Sequence, residues 1–237
     1  MTPNQYCPVC RAPLGDDDRF CPNCGAQIGP AYLSTSELAQ VRPPSDVALW
    51  PSSDPLLELE IDYPDRLSRW KIFVKWLLAI PHYIVLGIFG MLVSIIVWIV
   101  WFIILFTKRY PESLFTLIMT YMRWTANVNA YVMLQRDEYP PFGEGPYPLR
   151  LDLPYPAELS RWLIFIKWLL VIPNLFVYYF VLLAMMVAVF VAWWAILFTG
   201  SMPRGLFDFI TGANRWGYRI NAYTWLMTDK YPPFGLE

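Results

Sequence analysis

One unit of this sequence is written twice, 92 residues apart, and that duplication restricts the possible folds more than any other feature. The first copy begins at Tyr63 with YPDRLSRWKIFVKWLLAIP, the second at Tyr155 with YPAELSRWLIFIKWLLVIP. The offset holds without a gap. LSRW recurs at Leu67 and Leu159, ILFT at Ile104 and Ile196, NAY at Asn129 and Asn221, and YPPFG at Tyr139 and Tyr231. The period is too long for a small solenoid repeat, so the duplication predicts two similar halves.

Each copy has three parts. A short basic and aromatic helix is predicted over Leu67 to Ile80 and over Leu159 to Ile172, ended or kinked by Pro81 or Pro173. An uncharged run follows, Tyr83 to Phe106 and Leu175 to Phe198. At about 1.5 Å per residue each run exceeds a hydrocarbon core of ~30 Å, which points to membrane insertion. The third part starts after Pro111 or Pro203, residues suited to a first helical turn. There Glu112, Thr116, Thr120, Arg123 and Asn127 form one polar stripe, and in the second copy Asp208, Gly212, Arg215 and Arg219 do the same. Charges in the middle of a spanning helix cost about 2.5–3.5 kcal/mol each. This helix is therefore expected in the membrane interface, apolar side down, rather than as a further span.

Basic residues flank both ends of each apolar run: Arg66, Arg69, Lys71 and Lys75 before the first, Lys108 and Arg109 after it. Arg161, Lys167 and Arg204 repeat the arrangement. If both flanks are cytoplasmic, each run crosses twice, with a turn in the first copy at Gly87 to Gly90. The duplication also favours an even number of crossings, because a single one would put matching segments on opposite sides. Two crossings per copy are preferred over one. Composition agrees with a membrane chain: 57% of residues are hydrophobic and only 16% charged, against about 45–50% and 25% in an average soluble chain.

All four cysteines lie in the first 29 residues, as CPVC and CPNCG. Cys7, Cys10, Cys21 and Cys24 have the paired CxxC spacing of a closed, structural four-thiolate zinc site. So short a segment builds no core alone, so the metal supplies its folding free energy. A disulfide framework, a redox pair and an iron–sulfur centre are the alternatives. No apolar export segment precedes the head, and no βαβ pattern surrounds it. Residues 1–60 carry three Arg against eight Asp and Glu, so a phosphate-binding face is not expected and nucleic acid is not a predicted partner.

Candidate charges elsewhere are Lys75 and Lys167 at matching positions, and Arg123 and Arg215, each followed by Trp. They suit a lipid headgroup or a transport path; snorkelling and interfacial solvation are the plainer readings. His82, the single histidine, is matched by Asn174, which argues against a proton relay. No nucleophile–base pair, phosphate-cradling loop or paired carboxylate stands out, so no enzymatic activity is predicted.

The motifs YPxxLSRWxIFxKWLLxIP, ILFT, PxxLF, NAY and YPPFG resemble the membrane family catalogued as domain of unknown function 4389, over about residues 62–236. The head resembles a small bacterial zinc ribbon. The resemblance implies a bacterial membrane protein of unassigned activity and transfers no catalytic residue. The expected architecture is an all-α integral membrane protein. A zinc ribbon covers residues 1–29, an acidic linker 30–60, and membrane repeats 61–145 and 153–237. The expected role is a scaffold or accessory subunit of the cytoplasmic membrane, in contact with lipid and with a protein partner through its cytoplasmic head. A small transporter, channel or lipid-binding protein is the alternative.

Overall fold

The computed structural model describes residues 57–236, so the predicted zinc ribbon and most of the linker lie outside the described residues. The described chain runs β1 (Glu58–Ile61), α1 (Lys71–Leu78), α2 (Ile80–Thr107), α3 (Glu112–Val132), β2 (Leu149–Asp152), α4 (Leu163–Thr199) and α5 (Arg204–Thr224). Each copy is thus a leading strand, a long apolar helix and a 21-residue return helix. In the first copy α1 and α2 abut at Ala79, one residue before the Ile80–Pro81 start of α2. In the second copy α4 runs on through Pro173.

Two strands mean that the molecule is not all-α. Their cause is a period-two alternation. In Leu57 to Ile61 the leucines are buried and Glu58 and Glu60 exposed; in Leu149 to Leu153, Leu151 and Leu153 are buried and Arg150 and Asp152 exposed. Strand β1 therefore takes in Glu58 to Glu60, residues the linker was expected to hold. The pairing is antiparallel, and Leu59 faces Leu151, its own counterpart 92 residues on. A pseudo-twofold axis passes through that pair.

The same symmetry interlocks the copies. Leu67 N–H donates to Gly200 O, and Leu159 N–H to Lys108 O, both at 2.9 Å. Tyr63 donates its hydroxyl to Met202 O, and Tyr155 to Tyr110 O. Phe73 packs edge-on against Trp193, and Phe165 against Trp101, with ring centres 5.3 and 5.0 Å apart. Every contact in these pairs is the repeat image of the other. Each long helix therefore starts where the other ends, and the two run antiparallel.

No turn occurs at Gly87 to Gly90: α2 passes through without a break. Nothing polar there draws the backbone out of the helix. The lack of a side chain at Gly90 is used for close approach instead, because a Cβ would lie 2.8 Å from the Tyr121 hydroxyl. The chain reverses only at Lys108 to Pro111, after which α3 returns along α2. His82 meets Trp124, and further along α2 Phe89 meets Tyr121. Helix α5 returns along α4 in the same way, with Lys167 at Tyr223 and Asn174 at Trp216.

The return helices do not lie with an open apolar side. Helices α3 and α5 run antiparallel and meet through side chains: Asn129 donates to the Tyr218 hydroxyl, and Gln135, just beyond α3, donates to Thr211. Phe115, Ile118, Met119 and Met122 are buried, as are Phe207, Ile210 and Ala213. The polar stripes turn toward the strands and loops. The long helices are the elements left uncovered. Their exposed residues include Trp76, Ile84, Met91, Ile95, Trp98 and Phe106, and correspondingly Trp168, Phe176, Leu183, Val187, Phe190 and Phe198. The buried residues of α1–α2 recur as Ile72, Lys75, Ala79, His82, Leu86, Val93, Val100 and Ile104, one narrow stripe turned to the body, with Ile72 toward α4 and α5 and most of the rest toward α3.

One difference between the copies makes a prediction. Helix α2 ends on Lys108 at φ 60°, and α4 ends on Gly200 at φ 76°. The left-handed conformation costs a residue with a Cβ about 1 kcal/mol relative to glycine. Lys108→Gly is expected to stabilise the protein by about that amount in denaturant unfolding in detergent. An unchanged or lower stability would contradict it.

Candidate functional site: paired lysine–aspartate clasps

The matching lysines do not reach out to an interface. Lys75 projects inward from α1 and is 1% exposed, whereas its neighbour Trp76 is 63% exposed. Its Nζ lies 2.7 Å from Asp137 Oδ1, donates to Arg136 O at 2.6 Å, and sits 5.1 Å from the centre of the Tyr131 ring. The other oxygen of Asp137 accepts the backbone N–H of Ser68 at 2.5 Å. The second copy repeats this atom for atom. Lys167 Nζ is 2.8 Å from Asp229 Oδ1, donates to Thr228 O at 2.7 Å and lies 5.0 Å from the Tyr223 ring centre. Asp229 accepts the N–H of Ser160 at 2.6 Å. Burial raises the phenol pKa of Tyr131 and of Tyr223, and the nearby Asp137 and Asp229 carboxylates add to the rise. Each clasp ties the end of a copy to its beginning.

The arginines are also committed. Arg215 donates twice to Leu59 O, at 3.1 and 2.9 Å, and to Leu236 O at 3.4 Å. Arg123 is its image: it donates to Leu151 O at 3.0 Å and pairs with Asp152 at 2.6 Å and with Glu144 at 3.6 Å. Each arginine therefore pins the leading strand of the other copy. Arg219 of the second predicted stripe adds to this by donating to Leu57 O, and Thr120 of the first donates to Glu144 in the loop before β2. The structure brings Arg123 and Arg215 to the strand pair and holds the two lysines in separate clasps. The four charges do not line one path.

Asp137 and Asp229 escaped the sequence reading. Their signal was present: besides Arg69/Arg161, Lys75/Lys167 and Arg123/Arg215, theirs is the charged position filled by an identical residue in both copies. A matched acid was the natural partner of a matched lysine, but 61 residues of intervening chain concealed the contact.

His82 has a structural role. Its Nδ1 accepts the indole N–H of Trp124 at 3.0 Å, and its ring stacks on Phe142 with centres 4.0 Å apart. Asn174 Oδ1 accepts from Trp216 at 2.8 Å in the second copy. The two residues thus do the same work. His82→Asn is expected to retain near-native stability. His82→Leu leaves a buried indole N–H without its acceptor and should cost about 1–3 kcal/mol. Equal losses in thermal unfolding would show that the acceptor is not what matters.

Where the end of α2 meets the start of α4, Ser94, Trp98, Trp101, Phe165, Trp168 and Trp225 surround a cavity of about 410 Å³. Its walls are mainly apolar, with Ser94, Lys167 and Thr224 as the polar residues of the lining, and suit an acyl chain or another apolar ligand.

These features define a class: a duplicated helical protein whose halves are interlocked about a twofold axis, with two 37-residue helices long and apolar enough to cross a membrane. The family model for domain of unknown function 4389 matches twice, over residues 69–143 and 161–235. The chain belongs to that family, in two tandem copies. A zinc-ribbon domain model matches residues 6–28, which contain Cys7, Cys10, Cys21 and Cys24. Four thiolates are the soft tetrahedral donor set that zinc takes. No curated protein and no solved structure matches the chain.

Proposed function

We propose that the chain is a non-enzymatic scaffold or accessory subunit of the cytoplasmic membrane. Its duplicated body is held by lipid, and its zinc ribbon binds a protein partner in the cytoplasm. The observation that carries this reading is how the matched polar groups are used. Lys75, Lys167, Arg123 and Arg215 are all occupied by contacts inside the body, while the long helices present an uninterrupted apolar surface. Such a body anchors, and the head is left to recognise. Zinc closed by four cysteines supplies folding free energy to the head and no reacting position.

The apolar cavity favours a second reading, a lipid-binding protein. One experiment separates the two. The full chain is crosslinked in its native membrane, purified in mild detergent, and assayed for zinc, retained lipid and crosslinked proteins, alongside a variant with Cys7→Ser and Cys10→Ser. The scaffold reading expects about one zinc per chain and a reproducible partner. The double variant should lose both while remaining in the membrane fraction. A partner retained without the ribbon cysteines, or a chain carrying only lipid, overturns it.

A further inference from the structure

We propose that the paired long helices lie in the plane of the membrane, sunk into one leaflet with the strand pair facing water, and that neither helix crosses the bilayer. The occupant of the uncovered apolar surface is the acyl layer of that leaflet.

Three observations lead there. The first is length. Exposed apolar residues run from Trp70 to Phe106 in the first copy and from Trp162 to Phe198 in the second. At 1.5 Å per residue each stripe is about 54 Å long, whereas the hydrocarbon core is ~30 Å thick. A perpendicular helix would leave much of the stripe in water. A helix lying in the plane buries all of it.

The second is the position of the charges. The twofold axis runs through Leu59 and Leu151 and relates two antiparallel long helices, so it meets them near mid-length. The exposed Glu58, Glu60, Arg150 and Asp152 are gathered on that axis. Were the helices to cross the bilayer, the axis would lie in the membrane plane. These charges would then sit at mid-depth, where hydrocarbon offers no hydration. With the helices in the plane, the axis stands along the membrane normal and the charges sit at its aqueous end.

The third is which side of the rod is open. The buried stripe of α1–α2 is turned to the body, and the exposed half opposite it holds apolar side chains from Phe73 to Phe106 with Ser94 at its edge. Helix α3 in turn presents Arg123 to the strands. The apolar surface and the charged strands are therefore on different faces of the body, as a monotopic protein requires. Basic residues at both ends of each run, which a single crossing leaves unexplained, then face the same compartment.

This inference rests on the membrane reading above, and its test separates the two. Asp65 and Ala157 are exposed repeat counterparts at opposite ends of the rods. Asp65→Cys and Ala157→Cys are placed in the full chain and labelled with an impermeant maleimide in sealed membrane vesicles of uniform sidedness. Labelling is read by peptide mass, so the ribbon cysteines do not interfere. Both sites are expected to react from the same side, at rates within about threefold. Oriented circular dichroism of the wild-type chain in aligned phosphatidylcholine–phosphatidylglycerol bilayers should report helices parallel to the surface. One site reactive only from each side, or helices along the normal, overturns the in-plane arrangement and leaves membrane residence intact. A chain that stays soluble as a dimer and does not float with liposomes overturns both.

Discussion

Asp137→Ala should be the most damaging single substitution in the body, costing about 3–5 kcal/mol of unfolding free energy. Lys75 is 1% exposed, and without Asp137 Oδ1 at 2.7 Å its charge is left buried with only the Arg136 carbonyl and the Tyr131 ring. The loss of the carboxylate also frees the Ser68 N–H that opens the copy. Two companion variants show where the energy resides. Asp137→Asn keeps an acceptor for Ser68 and should lose less. Lys75→Met combined with Asp137→Ala removes the stranded charge and should recover more than half of the loss, because a buried ion pair contributes little over an apolar replacement. Denaturant unfolding in mixed micelles, followed by circular dichroism, measures all three. A single-variant loss below about 1 kcal/mol would mean that water reaches Lys75.

Arg215→Ala should come second, at about 2–3 kcal/mol. It removes two charge-assisted hydrogen bonds to Leu59 O and leaves that carbonyl short of partners beside the buried Leu59. Arg215→Lys should recover less than half, since a single ammonium does not reproduce the fork that grips one oxygen twice. The image substitution, Arg123→Ala, should cost about 1 kcal/mol, because the Arg123 side chain is 40% exposed and its ion pairs are screened by water. The readout that distinguishes this from general destabilisation is limited proteolysis near Glu58. Cleavage there should rise before the helices melt. Equal losses for the two arginines would argue that the strand pair is held by its own ladder instead.

The long helices were legible because their signal is local. An uncharged run such as Tyr83 to Phe106 states its conformation without reference to the rest of the chain. The repeat boundaries were legible for the same reason. The strands were legible too, in the alternation of Leu57, Leu59 and Ile61 with glutamates, but four residues beside a proline-rich segment read as the end of a linker. The partners of the charges were not legible. Whether Lys75 turns toward a bilayer surface or toward Asp137 depends on where α3 comes back, and the return is decided by packing between helices rather than by either helix alone. The same holds for the polar stripe of α3. Its spacing announced two faces, but not that the apolar one would be filled by α2 and α5 instead of lipid.

The reciprocity of the contacts between the copies has a consequence for assembly. Leu67 needs a Gly200 and Leu159 needs a Lys108, yet nothing in those hydrogen bonds requires donor and acceptor to share a polypeptide. A chain with one copy would satisfy every such contact by meeting another of its kind across the Leu59–Leu151 axis. The duplicated protein thus has the contact pattern of a homodimer whose two chains are joined into one. Joining also releases the halves from identity, and the exchanges His82 for Asn174 and Lys108 for Gly200 are the kind of difference that a symmetric dimer forbids.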